Sequence, residues 1–274
     1  MSRMNFTVDT ARCVKCGACA KDCPSQIIVC DGAAPSIPAE PEDGCLECQH
    51  CLAVCPAGAI SIFGLKPEDS LPLTGALPTR QQMKAFARGR RSVRQYKPEN
   101  VDRGLIDELL VDLAHAPTGC NDRDLTFSVV DDRAVMARLL DRVASALEAG
   151  AKAGREIPSF MLDAAIAYHR DGTDEFFRGG PHLLLVSHGE KATCGAEDAV
   201  LALTYFELLA QSAGLGTVWC GMLKMAVDSA PELREVLGVR PGAYFYPMVF
   251  GHPAVRYART VQRDKCARIR RIEC

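Results

Sequence analysis

The sequence predicts an α+β protein made of two domains, and three observations support this prediction. The chain has 274 residues, roughly twice the typical length of one domain. Nine of its 14 cysteines lie before residue 56, so the first part of the chain differs in composition from the rest. After about residue 83, helical and strand-like segments follow one another without the strict alternation of a doubly wound parallel sheet.

Composition and charge exclude several classes of protein. Hydrophobic residues make up 48 % and charged residues 24 %, which is ordinary for a globular protein and excludes disorder. The net charge of −2 argues against a nucleic-acid partner. The first residues lack the apolar segment of a secretory signal, and the longest apolar stretch, 199–213, contains Glu207 and is too short to span a bilayer. We therefore expect a cytoplasmic protein with no nucleic-acid and no membrane partner.

Residues 1–64 form the first predicted domain and contain an internal cysteine repeat. Both copies have the spacing C-x2-C-x2-C-x3-C-P, and the second follows the first after 45 − 13 = 32 residues. Three cysteines at this spacing surround one [4Fe–4S] cluster, and the fourth, before a proline, reaches the other cluster. The predicted ligand sets are Cys13, Cys16, Cys19 and Cys55 for one cluster, and Cys45, Cys48, Cys51 and Cys23 for the other.

The spacing resembles that of bacterial two-cluster ferredoxins over residues 5–64, and this resemblance implies a domain that carries electrons. Structural zinc, which also uses C-x2-C pairs, is one alternative. A three-iron or single-cluster form is another. Residues 65–82 contain three prolines and no clear periodicity, which predicts a semi-rigid linker.

Residues 83–274 form the second predicted domain. Apolar periodicity predicts helices at 101–116, 135–148 and 195–213 and strands at 125–130, 182–187 and 244–250. The helix at 195–213 is apolar nearly all round, which predicts burial in a core or a subunit interface. Pro247 predicts that the last strand is an edge or bulged strand. Residues 150–178 are expected to be partly helical.

The arginine-rich run at residues 88–96 is the first candidate cofactor segment. Guanidinium groups bind phosphate oxygens in a bidentate manner, and a hydroxyl adds a hydrogen bond, although a solvated basic face would have the same composition. The run R-R-S-x-R-x-Y resembles the first motif of the FMN-dependent nitroreductase family. The resemblance implies that Arg90, Ser92 and Arg94 contact FMN, including its phosphate and ribityl chain, with Arg91 close by.

Two later runs resemble motifs of the same family. The run A-P-T-G-C-N resembles a loop that reaches the flavin of the neighbouring subunit; a helix-terminating turn is the alternative. Residues 123–125, Arg-Asp-Leu, depart from the Gln-Pro-Trp of relatives, so a ring contact there is not implied. The run G-L-G-T-V-W-C-G resembles the segment that passes along the isoalloxazine ring. The implied contacts are Pro117, Thr118, Gly119 and Asn121 from the loop, and Trp219, Cys220 and Gly221 from the second run.

A fourth segment, G-H-P followed by arginines, resembles the closing strand and basic tail of the family. The resemblance implies that one or two tail arginines complete the phosphate site, with Arg263 as the first choice and Arg259 as the second. A solvated charged tail is the alternative. For Trp219, core packing is the alternative to packing at the ring edge. Cys120 and Cys220 would lie near the flavin, where we expect a packing role.

The four segments occur in the family's order, and the resemblance implies the rest of the prediction. It implies a three-layer α/β/α domain with a mostly antiparallel central sheet, an obligate homodimer and FMN sites between subunits. No catalytic side chain is expected, because the chemistry takes place on FMN. The predicted function is an iron–sulfur flavoprotein oxidoreductase, in which electrons from a redox partner such as ferredoxin or a reductase pass through two [4Fe–4S] clusters to FMN. The small-molecule acceptor would be a nitroaromatic, a quinone or an activated enone.

Two alternative functions remain open. One is a flavoenzyme that oxidises NAD(P)H and delivers electrons outward through the clusters. The other is a redox sensor or carrier that binds flavin without turnover. The chain has no G-x-G-x-x-G dinucleotide motif. Because the family binds nicotinamide directly over FMN, the absence of this motif is little evidence against an enzyme that oxidises NAD(P)H.

Overall fold

The computed structural model describes residues 4–38 and 44–273. The chain divides into two compact units between Pro78 and Thr79. In the described residues, no helix is both long enough and apolar enough to cross a membrane.

The N-terminal unit is closed by a short antiparallel ladder. Strand β1 (Thr7–Val8) precedes the first cysteine repeat and pairs with strand β2 (Ile60–Ser61), which follows the second. The ends of the duplicated segment therefore lie side by side. The unit has its own small apolar core, whose buried members are Met4, Cys19, Ile28, Cys51, Leu52, Ile60 and Ile62.

The two cysteine repeats have matching local structures. The third cysteine of each lies in a short helix, α1 (Ala18–Asp22) or α2 (His50–Ala53). The residue before each helix has a left-handed conformation, with φ of 71° at Gly17 and 59° at Gln49. The residue two positions earlier also has a positive φ in both repeats. Equivalent positions therefore turn the chain in the same way, as the internal repeat predicts.

The C-terminal unit contains a four-stranded antiparallel sheet. Its strands are β3 (Leu125–Val130), β4 (His182–His188), β5 (Gly216–Trp219) and β6 (Phe245–Gly251), in the spatial order β3-β4-β6-β5. The helices are α3 (Arg80–Gly89), α4 (Arg103–Asp112), α5 (Arg133–Lys152), α6 (Ser159–Asp171), α7 (Gly195–Ser212), α8 (Gly221–Ser229) and α9 (Leu233–Val236).

Side chains of the sheet alternate between two apolar cores. Leu183 and Leu185 of β4 pack in a core with α5, α6 and α8, whereas Leu184 and Val186 pack in a core with α4 and α7. A period of two is the geometry of a strand that is buried on both faces. The unit therefore has three layers, α/β/α, around an antiparallel sheet, as the sequence predicts.

The prediction that the last strand is an edge or bulged strand is wrong. Strand β6 lies between β4 and β5, and Pro247 is tolerated there for a geometric reason. β5 ends at Trp219, opposite Met248, and the carbonyl of Pro247 accepts a hydrogen bond from Cys220 N–H (2.9 Å) beyond that end. In an antiparallel sheet, the nitrogen and the carbonyl of one residue face the same neighbouring strand. The nitrogen of Pro247 therefore faces the β5 side, and its lack of an N–H removes no hydrogen bond to β4.

The structure contains several helices and strands that were not predicted from the sequence. Helix α3 begins inside the stretch 65–82 that was predicted as a linker. Its capping box between Thr79 and Gln82 is a sequence signal that could have indicated it. Strand β5 and helix α8 lie within and just after the segment that the sequence interprets only as a flavin contact. Strands β1 and β2 were not predicted either. The other three strands, β3, β4 and β6, lie within one residue of their predicted bounds, and α7 ends one residue earlier than predicted.

Candidate functional site

Each predicted cysteine quartet lines its own cavity in the N-terminal unit. One cavity is lined by Cys13, Cys16, Cys19 and Cys55. The other is lined by Cys23, Cys45, Cys48 and Cys51. Both cavities are partly open to solvent. Each thus combines three cysteines of one repeat with the last cysteine of the other.

The donors around each cavity fit a [4Fe–4S] cluster, whose ligands are cysteine thiolates. Within residues 4–38 and 44–273, no three His, Cys, Asp or Glu side chains converge on the position of a single metal ion. Burial raises the pKa of the Cys51 thiol to about 11, so the bound iron would be what keeps it deprotonated. Ala59 N–H donates a hydrogen bond to Cys55 Sγ at 3.2 Å, the kind of contact that tunes cluster potential.

In the C-terminal unit, the arginine-rich segment runs beside strand β5. Val93 N–H donates to the carbonyl of Thr217 (2.8 Å), and Ser92 forms a parallel bridge with the same residue. Two of the predicted FMN segments, residues 88–96 and residues 214–221, are therefore hydrogen-bonded neighbours.

The fourth segment joins them through close backbone contacts. Gly216 pairs with Gly251, and Tyr96 forms an antiparallel bridge with Pro253. A Cβ atom at Gly216 would lie 2.7 Å from the side chain of Val93, so glycine allows this approach. Three of the four predicted segments thus meet at β5.

The arginines of the first segment have different environments. Arg90 Nη1 lies 3.0 Å from Glu207 Oε1, and the Arg90 side chain is 30 % exposed. Arg91 donates to the backbone carbonyls of Arg88 (2.7 Å) and Arg90. Arg94 is exposed and donates to the carbonyl two residues earlier (3.3 Å). A guanidinium has five N–H donors, so Arg90 and Arg94 retain donors for an anionic oxygen.

The first turn of α8 is the candidate contact for the polar edge of the flavin ring. Its N-cap, Cys220, makes no side-chain capping hydrogen bond, and the first N–H groups of a helix have no acceptor within the helix. Trp219 packs edge to face against Tyr246, with ring centroids 5.3 Å apart. A Cβ at Gly221 would lie 3.5 Å from Tyr246 Oη, so both aromatic rings lie beside this turn.

The environment of Cys220 supports a packing role. Its side chain is buried, and Sγ lies 3.4 Å from the carbonyl oxygen of Phe176. Burial raises the pKa of the Cys220 thiol to about 12, which keeps it protonated at neutral pH and therefore weakly reactive. Cys120 is exposed and has a left-handed backbone conformation.

The A-P-T-G-C-N loop lies at the other end of α7. Gly119 N–H donates to Asp198 Oδ1 (3.0 Å) in the first turn of α7, and a Cβ at Gly119 would lie 2.8 Å from Cys194 Sγ. Glu207, the partner of Arg90, is 207 − 198 = 9 residues further along the helix, about 14 Å at 1.5 Å per residue. Within one chain, the other three segments therefore lie away from the loop residues Pro117, Thr118, Gly119 and Asn121.

The irregular C-terminal tail returns to the arginine-rich segment. Asp264 forms an ion pair with Arg88, which brings the neighbouring Arg263 close to this segment. Both Arg263 and Arg259 are exposed, and Arg259 lies four residues earlier in the same tail.

These features fit the chemistry of FMN. Guanidinium groups and the Ser92 hydroxyl suit a phosphate, free N–H groups suit the polar ring edge, and aromatic side chains suit a flat ring. Glu207 and Tyr246 are not among the site residues predicted from the sequence. The sequence signal for Glu207 is an acidic residue inside an otherwise apolar helix; we find no such signal for Tyr246.

Two family models match the chain. The model described as Nitroreductase family matches residues 87–252, and the model described as 4Fe-4S dicluster domain matches residues 7–62. The FMN reductase (NAD(P)H) of Bacillus subtilis strain 168 is 29 % identical over 180 residues, which cover 62 % of this chain and 65 % of that protein. The chain thus spans just under two thirds of the length of this relative.

Solved structures show the same fold. A nitroreductase with bound FMN from Bacteroides fragilis NCTC 9343 has a TM-score of 0.56 and 21 % identity, over 70 % of this chain and 100 % of its own. A nitroreductase with bound FMN from Desulfitobacterium hafniense DCB-2 has a TM-score of 0.54 and 23 % identity, over 72 % and 100 %.

The matches confirm the predicted resemblance and fold class. They also confirm the predicted cofactors, [4Fe–4S] clusters and FMN, and they agree with the predicted class of an FMN-dependent oxidoreductase. For the N-terminal cysteines they favour iron–sulfur clusters over zinc.

Proposed function

Because the chain belongs to the Nitroreductase family and carries an N-terminal 4Fe-4S dicluster domain, we propose that it passes electrons through two clusters to FMN for the reduction of a small organic acceptor. The acceptor is a nitroaromatic, a quinone or an activated enone. The observation that carries this proposal is the presence of two four-cysteine cavities in the same chain as a flavin-family fold. Clusters transfer single electrons, and FMN supplies the exchange between one-electron and two-electron chemistry.

In this proposal the cluster domain comprises residues 1–64, the linker 65–82 and the flavin domain 83–274. The eight repeat cysteines hold the clusters. The phosphate and ribityl chain of FMN are bound by Arg90, Ser92 and Arg94, with Arg91 nearby and Arg263 or Arg259 from the tail. Trp219, Cys220 and Gly221 lie along the ring.

The proposed assembly is a homodimer. The loop at residues 117–121 is separated from the other FMN segments along α7, which supports a role for it in the site of a neighbouring subunit. The same helix exposes two large apolar side chains one turn apart, Leu201 and Tyr205, at 41 % and 40 %. Burial of such side chains favours association of subunits.

The electron donor has two candidates. We propose a low-potential protein such as reduced ferredoxin, or a reductase, because the cluster unit suits single-electron transfer. The second candidate, NAD(P)H with electrons leaving through the clusters, is favoured by the description of the Bacillus subtilis relative as an NAD(P)H enzyme.

The decisive experiment starts with protein purified without oxygen. We expect about eight irons and one FMN per chain; four irons or fewer, or no flavin, would overturn the proposal. Reduced ferredoxin should bleach the flavin absorbance and start reduction of a quinone. A control with Cys16→Ser and Cys48→Ser, which lacks both clusters, should lose the ferredoxin reaction. If the control is reduced by ferredoxin as fast as the natural chain, electrons do not enter through the clusters; fast reduction by NADPH alone supports the second donor.

A further inference from the structure

Glu207 is a buried carboxylate in the middle of an apolar helix. It is 5 % exposed, and α7 buries Phe206 and Ala210 next to it. A buried charge costs free energy unless it is paired and hydrogen-bonded, and an apolar side chain of similar size packs with less cost. Packing of α7 therefore does not explain an acidic residue at this position.

Two polar contacts account for this carboxylate, and both lie at the predicted FMN segments. Its Oε1 accepts from Arg90 Nη1 at 3.0 Å and from Thr217 Oγ1 at 3.4 Å. Arg90 is the C-cap residue of α3, and Thr217 lies in β5. One buried acid thus connects three elements at the point where three of the FMN segments meet.

We propose that Glu207 is a positioning residue that holds the Arg90 guanidinium in the orientation in which it binds an anionic oxygen of FMN. This inference rests on the proposed function, in which Arg90 contacts FMN. The pair uses Nη1, so within the part of the chain that the structure describes the other N–H donors of Arg90 remain available, and the side chain is 30 % exposed. A guanidinium held in place before binding loses less conformational entropy when the ligand arrives, which increases affinity.

A purely structural role for Glu207 would have different consequences. Because Arg90 is partly exposed, water can solvate it when the carboxylate is removed. Replacement of the acid by methionine should therefore cost the FMN-free protein little thermal stability, much less than when the remaining charge of a broken pair is fully buried. A structural role would instead make this variant less stable and leave FMN affinity unchanged among the molecules that fold.

The test is a double-mutant cycle on the full chain with its clusters, using FMN as the titrated ligand. Glu207→Met should raise the Kd for FMN about tenfold, the usual size of one charge-assisted hydrogen bond. In the background of Arg90→Gln, which itself weakens FMN binding, Glu207→Met should cause no further loss. Glu207→Gln, which keeps an acceptor of the same size, serves if the methionine variant does not fold, and should show the same dependence on Arg90. Glu197→Gln, at an exposed acid of the same helix, is the matched control and should leave the Kd unchanged.

The outcomes separate this inference from the function on which it rests. If Arg90→Gln weakens FMN binding but the Glu207 variants do not, or if the two effects simply add, the positioning role is wrong while Arg90 remains an FMN ligand. If Arg90→Gln leaves the Kd unchanged, the assignment of Arg90 itself fails, and the positioning role fails with it.

Discussion

Among the described residues, the buried polar or charged side chains are His182, Ser187, Asp198, Glu207 and Thr217. Asp198 accepts from the backbone N–H of Gly119, Glu207 pairs with Arg90, and the hydroxyl of Thr217 donates to Glu207. Buried polar groups are retained where they have specific partners. Three of the five therefore hold the segments that resemble FMN motifs.

These partnerships could not be predicted from the sequence. The two groups of cysteines that line the cavities follow from spacing alone, because neighbouring residues of a short repeat supply most of each group. Arg90 and Glu207, by contrast, are 117 positions apart, and no local pattern connects them. The apolar helix and the arginine-rich run were each recognised, but their contact depends on how the sheet brings α7 and β5 together.

His182 is the buried residue with a consequence for acid stability. It is fully buried, and its Nε2 accepts from the backbone N–H of Val101 (2.8 Å). Burial lowers the pKa of His182 below its usual value of 6.5. The backbone of Val130, followed by Asp131 and Asp132, opposes this shift and His252 adds to it, all with smaller effects. Below about pH 6.5 the unfolded chain binds a proton that the folded chain does not, so stability is lost as the pH falls.

We therefore expect the free energy of unfolding to fall below pH 6.5, with a contribution from His182 of at most about 1.4 kcal/mol per pH unit. His182→Gln can still accept the Val101 hydrogen bond but does not titrate, so its dependence on pH should be weaker. Urea unfolding followed by circular dichroism at pH 7.5, 6.5 and 5.5 measures both slopes. His115→Gln, at an exposed histidine, is the control and should match the natural chain. Equal slopes for His182→Gln and the natural chain would contradict this explanation.

At the scale of elements, strands and long helices could be predicted because their apolar periodicity reports burial directly. Strand β5 could not be predicted, since it has four residues and begins with glycine, a residue of low strand propensity. It exists because β6 offers a pairing partner and because Gly216 leaves room for Val93. The edge position predicted from Pro247 was wrong for a related reason: strand order is a property of the whole sheet.

The close approach at β5 gives a prediction for Gly216→Ala. The new methyl group would meet the side chain of Val93 at 2.7 Å, and such overpacking costs roughly 1–3 kcal/mol of the free energy of unfolding. Adding Val93→Ala removes the clash, so the double variant should lose less stability than the sum of the two single changes. Chemical denaturation of all three variants measures this difference.

Gly89→Ala is the matched control for this set. Its Cβ would meet no atom closer than 3.9 Å, and alanine favours the helix in which it lies. We expect this variant to be as stable as the natural chain or slightly more stable. A Gly216→Ala variant that is equally stable would show that β5 can shift away from Val93 at no cost.

At the scale of the whole molecule, two units with separate cores carry the two kinds of cofactor chemistry. In the N-terminal unit, the grouping of cysteines around two cavities and the matching local structures of the two copies could be predicted from the sequence, because both follow from the repeat. The flavin unit was recognised through four short motifs. One of them, the loop at residues 117–121, is separated from Glu207 by about 14 Å along α7, and only the three-dimensional structure shows this separation.

The crossed arrangement of the cysteines gives a prediction for iron content. If Cys16 and Cys55 hold the same cluster, the double variant Cys16→Ser, Cys55→Ser should keep the other cluster and about four irons. The variant Cys16→Ser, Cys23→Ser removes one ligand from each quartet and should lose nearly all iron. Iron and sulfide analysis of anaerobically purified protein distinguishes the two. The reverse result would mean that each repeat holds its own cluster.

The shared cavities also have a consequence for how the protein is made. The cavity formed mainly by the second repeat has all four of its thiols once Cys51 has been synthesised, whereas the cavity of the first repeat waits for Cys55. At about 5–20 residues per second, the ribosome needs roughly 2–7 seconds for the 55 − 19 = 36 residues between the third and fourth thiols of that first cavity. A chain that ends between Cys51 and Cys55 would therefore contain the complete set of thiols for only one of the two cavities.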